Sequence, residues 1–377
     1  MYRLLSLLLV LVVFLFVTVK VFNLIPSDTS KTRQPPENII TTSPSPDSPK
    51  TTPAEATPIS LSKPPVQKTL KNDYHIFQTF NNCGPASLSM TLSYFGIKVS
   101  QKEIGDDLRP YQNPQGDNDD KSVTLNELAE KAKEYGLIPY HRQNGNIELL
   151  KYFITYDIPV ITFTWTKPNE DIGHYRVVKG FDETSNELIQ DDSLQGKNLR
   201  FKYDDFNVLW NKFNYEYLVL VPKDKVGIAE AILGDNKEES KAWKNAVDIL
   251  AKFLEKNPDD VLARFSLSIS YYYKGEYKKS IEHFEMVQNK LSKRALWYQI
   301  EPIQAYFEME NYNKVMEMSD NILNNGNRAF SELYMLRGRI YLIKGDLKNA
   351  KTEFEKAVYY NKNMEEAQEA LRKVSTV

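Results

Sequence analysis

Along the chain the apolar positions change their period several times, and each change predicts a different kind of structure. Residues 4–25 (LLSLLLVLVVFLFVTVKVFNLI) are almost unbroken apolar sequence behind Arg3. With Lys20 able to snorkel, this approaches the roughly 20 residues a membrane span needs. The segment predicts an uncleaved signal anchor, or a secretory signal peptide if it is removed. With the amino terminus held inside, everything after Pro26 lies outside the cytoplasm. From residue 26 to 69 the pattern vanishes. Ten of the 19 prolines fall between Pro26 and Pro65, among Ser, Thr and Lys. Such composition cannot offset its ordering entropy and predicts a disordered linker, extended like a stalk.

Residues 70–224 return to periodic order. Ser100 with Glu103, and Thr124 with Glu127, have capping-box spacing ahead of helices over Gln101–Leu108 and Leu125–Tyr135, the second ended by Gly136. A third helix is predicted over Ile147–Phe153. The period then shortens to strand-like runs at Pro159–Trp165, Tyr175–Lys179, Glu187–Gln190 and Tyr215–Val221, rich in β-branched and aromatic residues. Helices first and an antiparallel sheet afterwards predict an α+β domain. Ala86–Tyr94 is ambiguous, because its strict alternation reads as a strand while its Ala, Leu and Met, with Pro85 in front, favour a helix.

Residues 225–377 repeat. Gly275–Phe284, Glu310–Ser319 and Gly345–Phe354 share one register at intervals of 35 residues, with Tyr271, Tyr306 and Tyr341 at equivalent positions. Ala242–Phe253, followed by Pro258, reads as the second helix of an earlier, degenerate unit. This resembles a tetratricopeptide array of three clear repeats plus one degenerate one, an all-α solenoid whose helix pairs bury their apolar faces against one another. Such arrays offer a surface to a protein partner or substrate.

Composition narrows the chemistry. Forty-eight basic and 50 acidic residues nearly cancel, and no basic stripe with interleaved aromatics points to nucleic acid. A single cysteine excludes intrachain disulfides and two-cysteine metal sites. The four histidines lack ligand spacing, and the run Asp117–Lys121 lacks the glycine and terminal glutamate of a calcium loop. No metal or cofactor is expected.

The lone cysteine, Cys83, stands before Gly84-Pro85 at the mouth of a possible helix. Unpaired amides and the helix dipole there favour a thiolate, which predicts alkylation well below pH 8. Gln78 could reach the same point as an amide donor. His174, at the start of a strand, could serve as a base, and a hairpin through Asp182–Asn186 would bring Asp191–Asp192 beside it. His75, His141 and His283 read as structural or surface residues.

Taken together, Gln…Cys-Gly-Pro-x-Ser-Leu, then Gly-His-Tyr-x-Val-Val-x-Gly-Phe, then a strand closing on Asp resembles the papain-like bacteriocin-processing peptidases, or double-glycine leader peptidases, over residues 72–222. The resemblance implies a papain-like fold, with Cys83 as nucleophile and His174 as general base and acid. It further implies Asp191 as the orienting carboxylate and Gln78 as oxyanion donor, and it makes Ala86–Tyr94 the central helix. Where the family has proline after the aspartate, this chain has Asp192. No nucleotide-binding domain follows, so the double-glycine substrate is not carried over. The implied function is a membrane-anchored extracytoplasmic cysteine peptidase acting on a peptide or protein. A cell-wall amidase or transpeptidase using the same thiol chemistry, and a non-catalytic tethered scaffold, are the alternatives.

Overall fold

The structure, a computed structural model, describes residues 59–111, 113 and 123–376. The expected membrane segment, most of the linker and the run Asp117–Lys121 lie outside the described residues. Among the described residues, no helix is long and apolar enough to cross a membrane.

An antiparallel sheet organises the first half. Its strands are β1 (Gln67–Thr69), β2 (Ile138–Arg142), β3 (Val160–Trp165), β4 (Gly173–Asp182), β5 (Glu187–Asp192), β6 (Gly196–Lys202) and β7 (Tyr217–Val221). They lie in the order β2-β7-β3-β4-β5-β6, and β1 pairs with the far end of β4. β1 therefore falls inside the segment that composition assigns to the linker. Its main chain pairs with Gly180–Asp182, which composition cannot foresee.

Successive side chains on a strand point to opposite faces, and here they feed two cores. Tyr175, Val177, Leu218 and Leu220 join one face, against α1 (Cys83–Ser93) and α3 (Leu125–Lys133). Val178, Tyr217, Val219 and Val221 join the other, against α4 (Ile147–Thr155) and α5 (Tyr203–Trp210). On the first face α2 (Gln101–Leu108) flanks α1 and begins at the predicted cap, Ser100, which accepts the Glu103 amide. α3 carries the complete capping box of Thr124 and Glu127.

The ambiguous stretch is helical, and α1 begins at Cys83 itself. Ten of its 11 residues are buried, so it has no polar face to show a period of 3.6. Two of its buried hydroxyls find carbonyls outside the helix, Ser87 donating to that of Tyr175 at 3.3 Å and Ser89 to that of Val99 at 2.5 Å. The alternation in the sequence is thus a by-product of burying small polar residues inside a helix.

The second half is all helical: α6 (Val226–Leu233), α7 (Glu239–Lys256), α8 (Val261–Tyr273), α9 (Tyr277–Glu285), the short α10 (Ala295–Tyr298), α11 (Glu301–Glu308), α12 (Tyr312–Asn324), α13 (Ser331–Ile343), α14 (Leu347–Tyr360) and α15 (Glu365–Ser375). α6 packs Ala229 and Leu233 into the far-face core of the sheet. The pairs α8–α9, α11–α12 and α13–α14 are the three predicted repeats and share one continuous core. Gly275 and Gly345 turn the first and third pairs at φ of +72° and +74°, and Glu310 takes the same left-handed position in the second at +55°. The α+β domain followed by a helical solenoid is therefore observed.

The array is docked on the sheet domain. Arg109 pairs with Glu127 at 2.7 Å and with Glu332 of α13 at 3.4 Å. Asp171 accepts from Arg294 Nη1 at 2.8 Å, and Tyr111 packs on Tyr359 and Tyr360.

Candidate active site

α1 delivers Cys83 to the sheet beside β4. Asn81, at φ of +53°, and a turn closed by the Asn82 amide on the Thr79 carbonyl at 3.1 Å lead into the helix. The sulfur meets the backbone amides of Tyr175, Gly84 and Cys83 itself, three donors converging on one atom. Yet Cys83 is only 5% exposed. Burial pushes its thiol up to about 11 against the pull of those amides, with the charge of Asp192 adding to the rise. The helix N-terminus does not win here. The expected low-pKa thiolate is thus corrected: desolvation outweighs the backbone amides that face the sulfur.

His174, adjacent to Tyr175 on β4, is 1% exposed. Its Nε2 lies 2.8 Å from Oδ1 of Asp192. The same oxygen accepts from the amides of Leu194 at 2.7 Å and Gln195 at 2.9 Å. Arg176, two residues along β4, brings Nε to 3.0 Å from the other carboxylate oxygen. Burial pushes the Asp192 carboxyl up, but His174, Arg176 and the Leu194 amide outweigh it and hold the group down at about 2. Burial lowers the His174 imidazole below its ordinary value of 6.5 against the pull of Asp192, and Arg176 lowers it further. The resting site therefore holds a neutral thiol, a neutral imidazole and a permanent carboxylate.

Asp191 does not orient His174. Its carboxylate pairs with Lys179 at 2.7 Å, both residues fully buried. The register explains this. Asp192 sits directly across from Arg176, on the face of β4 that His174 shares, whereas Asp191 lies across from Val177 and turns to the other face. One residue of register decides which aspartate meets the histidine.

Gln78 does reach the neighbourhood. Its amide donates to the Ser193 carbonyl at 2.7 Å, and its side-chain oxygen accepts from the Ser193 hydroxyl at 2.9 Å, one residue beyond Asp192. Holding that oxygen leaves the side-chain NH2 as the end with protons to offer. Ser193 and Arg176 are contributors that motif spacing missed, Arg176 filling the unspecified position of Gly-His-Tyr-x-Val-Val. His75 is nearer than its bland reading suggested, with Nε2 3.0 Å from the Asp192 carbonyl. His141 pairs with Glu216 at 2.5 Å, and His283 stacks on Tyr271. Among the described residues no cluster of three or more His, Cys, Asp or Glu side chains could hold a metal ion.

A family model described as Peptidase_C39 like family matches residues 63–218, and a tetratricopeptide repeat model matches residues 331–364. Residues 63–218 form a C39-like peptidase domain. It is fused to a tetratricopeptide array, as the repeat match and the helix pairs show. Among solved structures, the chain resembles a Bacillus anthracis protein described as a C39-like peptidase. The identity is 18%, over 42% of this chain and 98% of that one, with a TM-score of 0.37. It also resembles the peptidase domain of Streptococcus ComA, a bifunctional ABC transporter of a quorum-sensing pathway. That match has 20% identity over 41% of this chain and 99% of the other, with a TM-score of 0.32. A tetratricopeptide repeat protein of Parabacteroides merdae is similar at 23% identity over 39% of this chain and 61% of the other, with a TM-score of 0.31. No curated protein matches the chain.

Proposed function

We propose that the C39-like domain is a cysteine peptidase in which Cys83 attacks a peptide carbonyl. The observation that carries this reading is the chain of contacts from the carboxylate to the thiol's neighbourhood. Asp192 accepts from His174 Nε2, and the residue after His174 lends its amide to Cys83. In the proposed step the imidazole reaches round the end of β4 from the face it shares with Asp192, and Nδ1, with Nε2 engaged, takes the thiol proton as the sulfur attacks. Asp192 stabilises the imidazolium that forms. The tetrahedral oxyanion would be met by the amide of Cys83 and the side-chain NH2 of Gln78. His174 then returns its proton to the leaving amine, a thioester remains on Cys83, and water hydrolyses it. Because thiol and imidazole both rest neutral, proton transfer accompanies attack and no preformed ion pair is needed.

The apolar segment 4–25 and the proline-rich sequence after it support a membrane-tethered, extracytoplasmic enzyme, and the array supports a protein partner or substrate. The test is to incubate the full chain with unfolded protein and to map new termini by mass spectrometry. New termini should appear with the wild type and be absent with Cys83→Ala and His174→Ala. Cleavage that survives Cys83→Ala would overturn the reading.

A further inference from the structure

Beyond the end of β5, one edge of β4 is unpaired. Asp192 opposes Arg176, so β5 offers no partner to residues 173–175. Thr166 donates to the Ile172 carbonyl, which fixes Ile172 and His174 as the residues whose backbone groups face β3. Gly173 and Tyr175 therefore present theirs to the open edge, two residues apart. Both positions are covered. The Tyr175 amide meets the Cys83 sulfur, and the ring of Tyr298, which comes from the repeat array, lies over Gly173.

Tyr298 is built into this position. Its ring meets Phe163 and Phe213 edge-on, with centroids 5.9 and 5.7 Å away. It packs against the same apolar cluster as Cys83. A Cβ on Gly173 would lie 3.0 Å from the Tyr298 ring and 2.8 Å from that of Phe163, so glycine is what lets the array lie on the strand. Four residues earlier, Arg294 grips Asp171 through its own amide at 3.1 Å and through Nη1 at 2.8 Å. The array thus clasps the loop that leads into His174.

Two cavities meet the ring. One, of about 310 Å³, lies between Trp165, Lys212, Leu262, Phe265 and Leu291. The other, of about 170 Å³, lies between Asn126, His141, Tyr175, Glu216 and Gln304. Both are walled partly by the peptidase domain and partly by the array, and Tyr298 lines both. We propose that this seam is the substrate cleft, that the array forms one wall of it, and that Tyr298 determines what reaches Cys83. An extended polypeptide entering the seam adds to the open edge of β4 as a strand would, and its carbonyl takes the Gly173 amide that the Tyr298 ring now covers. This rests on the peptidase reading, but its test does not.

Cys83 is the only cysteine in the 377 residues, so alkylation by iodoacetamide reads its accessibility directly in the full chain. Wild type, Tyr298→Phe, Tyr298→Ala and Arg294→Ala would be compared at pH 8, with melting temperatures measured alongside. Tyr298→Ala should alkylate about tenfold faster than wild type or more, a change that opening of one local contact can deliver. Tyr298→Phe, which keeps the ring, should stay within about threefold, and Arg294→Ala should fall between them. Gly338→Ala, which crowds Phe354 deep in the array, controls for general loosening. A Tyr298→Ala rate equal to wild type overturns the proposal. So does an equal acceleration by Gly338→Ala at matched melting temperature. Loss of all peptidase activity with the expected alkylation pattern would instead sink the peptidase reading and leave the gate standing.

Discussion

His174 and Asp192 meet at 2.8 Å between Nε2 and Oδ1, across two adjacent strands and away from solvent. The aspartate one residue earlier faces the opposite way, into Lys179. Two neighbouring carboxylates thus serve two different buried partners, and removing each should have a different consequence.

Asp192→Asn should lower kcat/KM by about 10³–10⁴, because an amide can neither fix the imidazole tautomer nor stabilise the imidazolium. Asp191→Asn should leave kcat/KM within about tenfold of wild type and cost stability instead. Breaking a buried pair strands Lys179 without its carboxylate, typically at about 3–5 kcal/mol. Steady-state kinetics on a cleaved peptide and urea titration separate the two. Equal kinetic damage from both variants would show that the register argument misassigns the roles.

Arg176 should matter to the same carboxylate. Fully buried, it gives Nη1 to the Trp165 carbonyl at 2.7 Å and Nη2 to that of Thr166 at 2.8 Å, while Nε faces Asp192. Arg176→Met removes the permanent cation, and the Asp192 carboxyl should titrate at higher pH than in wild type. Stability near neutrality should drop by about 3 kcal/mol, the low end for an uncompensated buried charge. Arg176→Lys should recover little, since an ammonium cannot span two carbonyls and a carboxylate. Denaturant unfolding across pH 3–8 is the check. A Lys variant as stable as wild type would refute the bridging role.

Much of this was legible in the sequence, for reasons that can be named. Capping boxes are local chemistry, so α2 and α3 could be placed from Ser100–Glu103 and Thr124–Glu127 alone. The repeats were visible because three units keep one register, even with Glu310 where the others have glycine. Cys83 and His174 could be singled out from their motifs. The choice between Asp191 and Asp192 depended on strand register, a long-range property that no window of sequence contains. The thiol's pKa depended on how deeply α1 is buried, and the docking of Tyr298 on Gly173 depended on two domains meeting. β1 escaped for a similar reason, since three residues paired to a distant strand carry no period of their own.

Raised and lowered values give a pH profile with a defined sign. His174 is held below 6.5, so kcat/KM should rise as pH passes a midpoint under 6.5 and then stay level. Alkylation of the native thiol should keep climbing toward pH 11, whereas the denatured chain should level off near 9. For stability, the unfolded chain loses the thiol proton first, so between pH 9 and 11 the native state binds more protons. Over that window stability should fall with pH in wild type relative to Cys83→Ala, by at most about 1.4 kcal/mol per pH unit. A thiol that alkylates with a native midpoint below 8 would contradict the burial argument.

A Cβ on Gly105 of α2 would lie 2.6 Å from Oδ1 of Asn82, the residue before Cys83. Asn82 is nearly buried, and its Nδ2 holds Thr79 Oγ1 at 2.8 Å, which fixes the turn between Gln78 and the nucleophile. Gly105→Ala adds helix propensity worth up to about 1 kcal/mol, so the melting temperature should change little. The same methyl must displace Asn82, and with it the path from Gln78 to Cys83. A fall of about tenfold in kcat/KM follows, since a misplacement of 1 Å can cost about a hundredfold and the turn absorbs part of it. If the clash is the route, Asn82→Ala should cost activity alone, and adding Gly105→Ala to it should cost nothing more. Additive losses in that double-mutant cycle would mean that Gly105 acts through some contact other than Asn82.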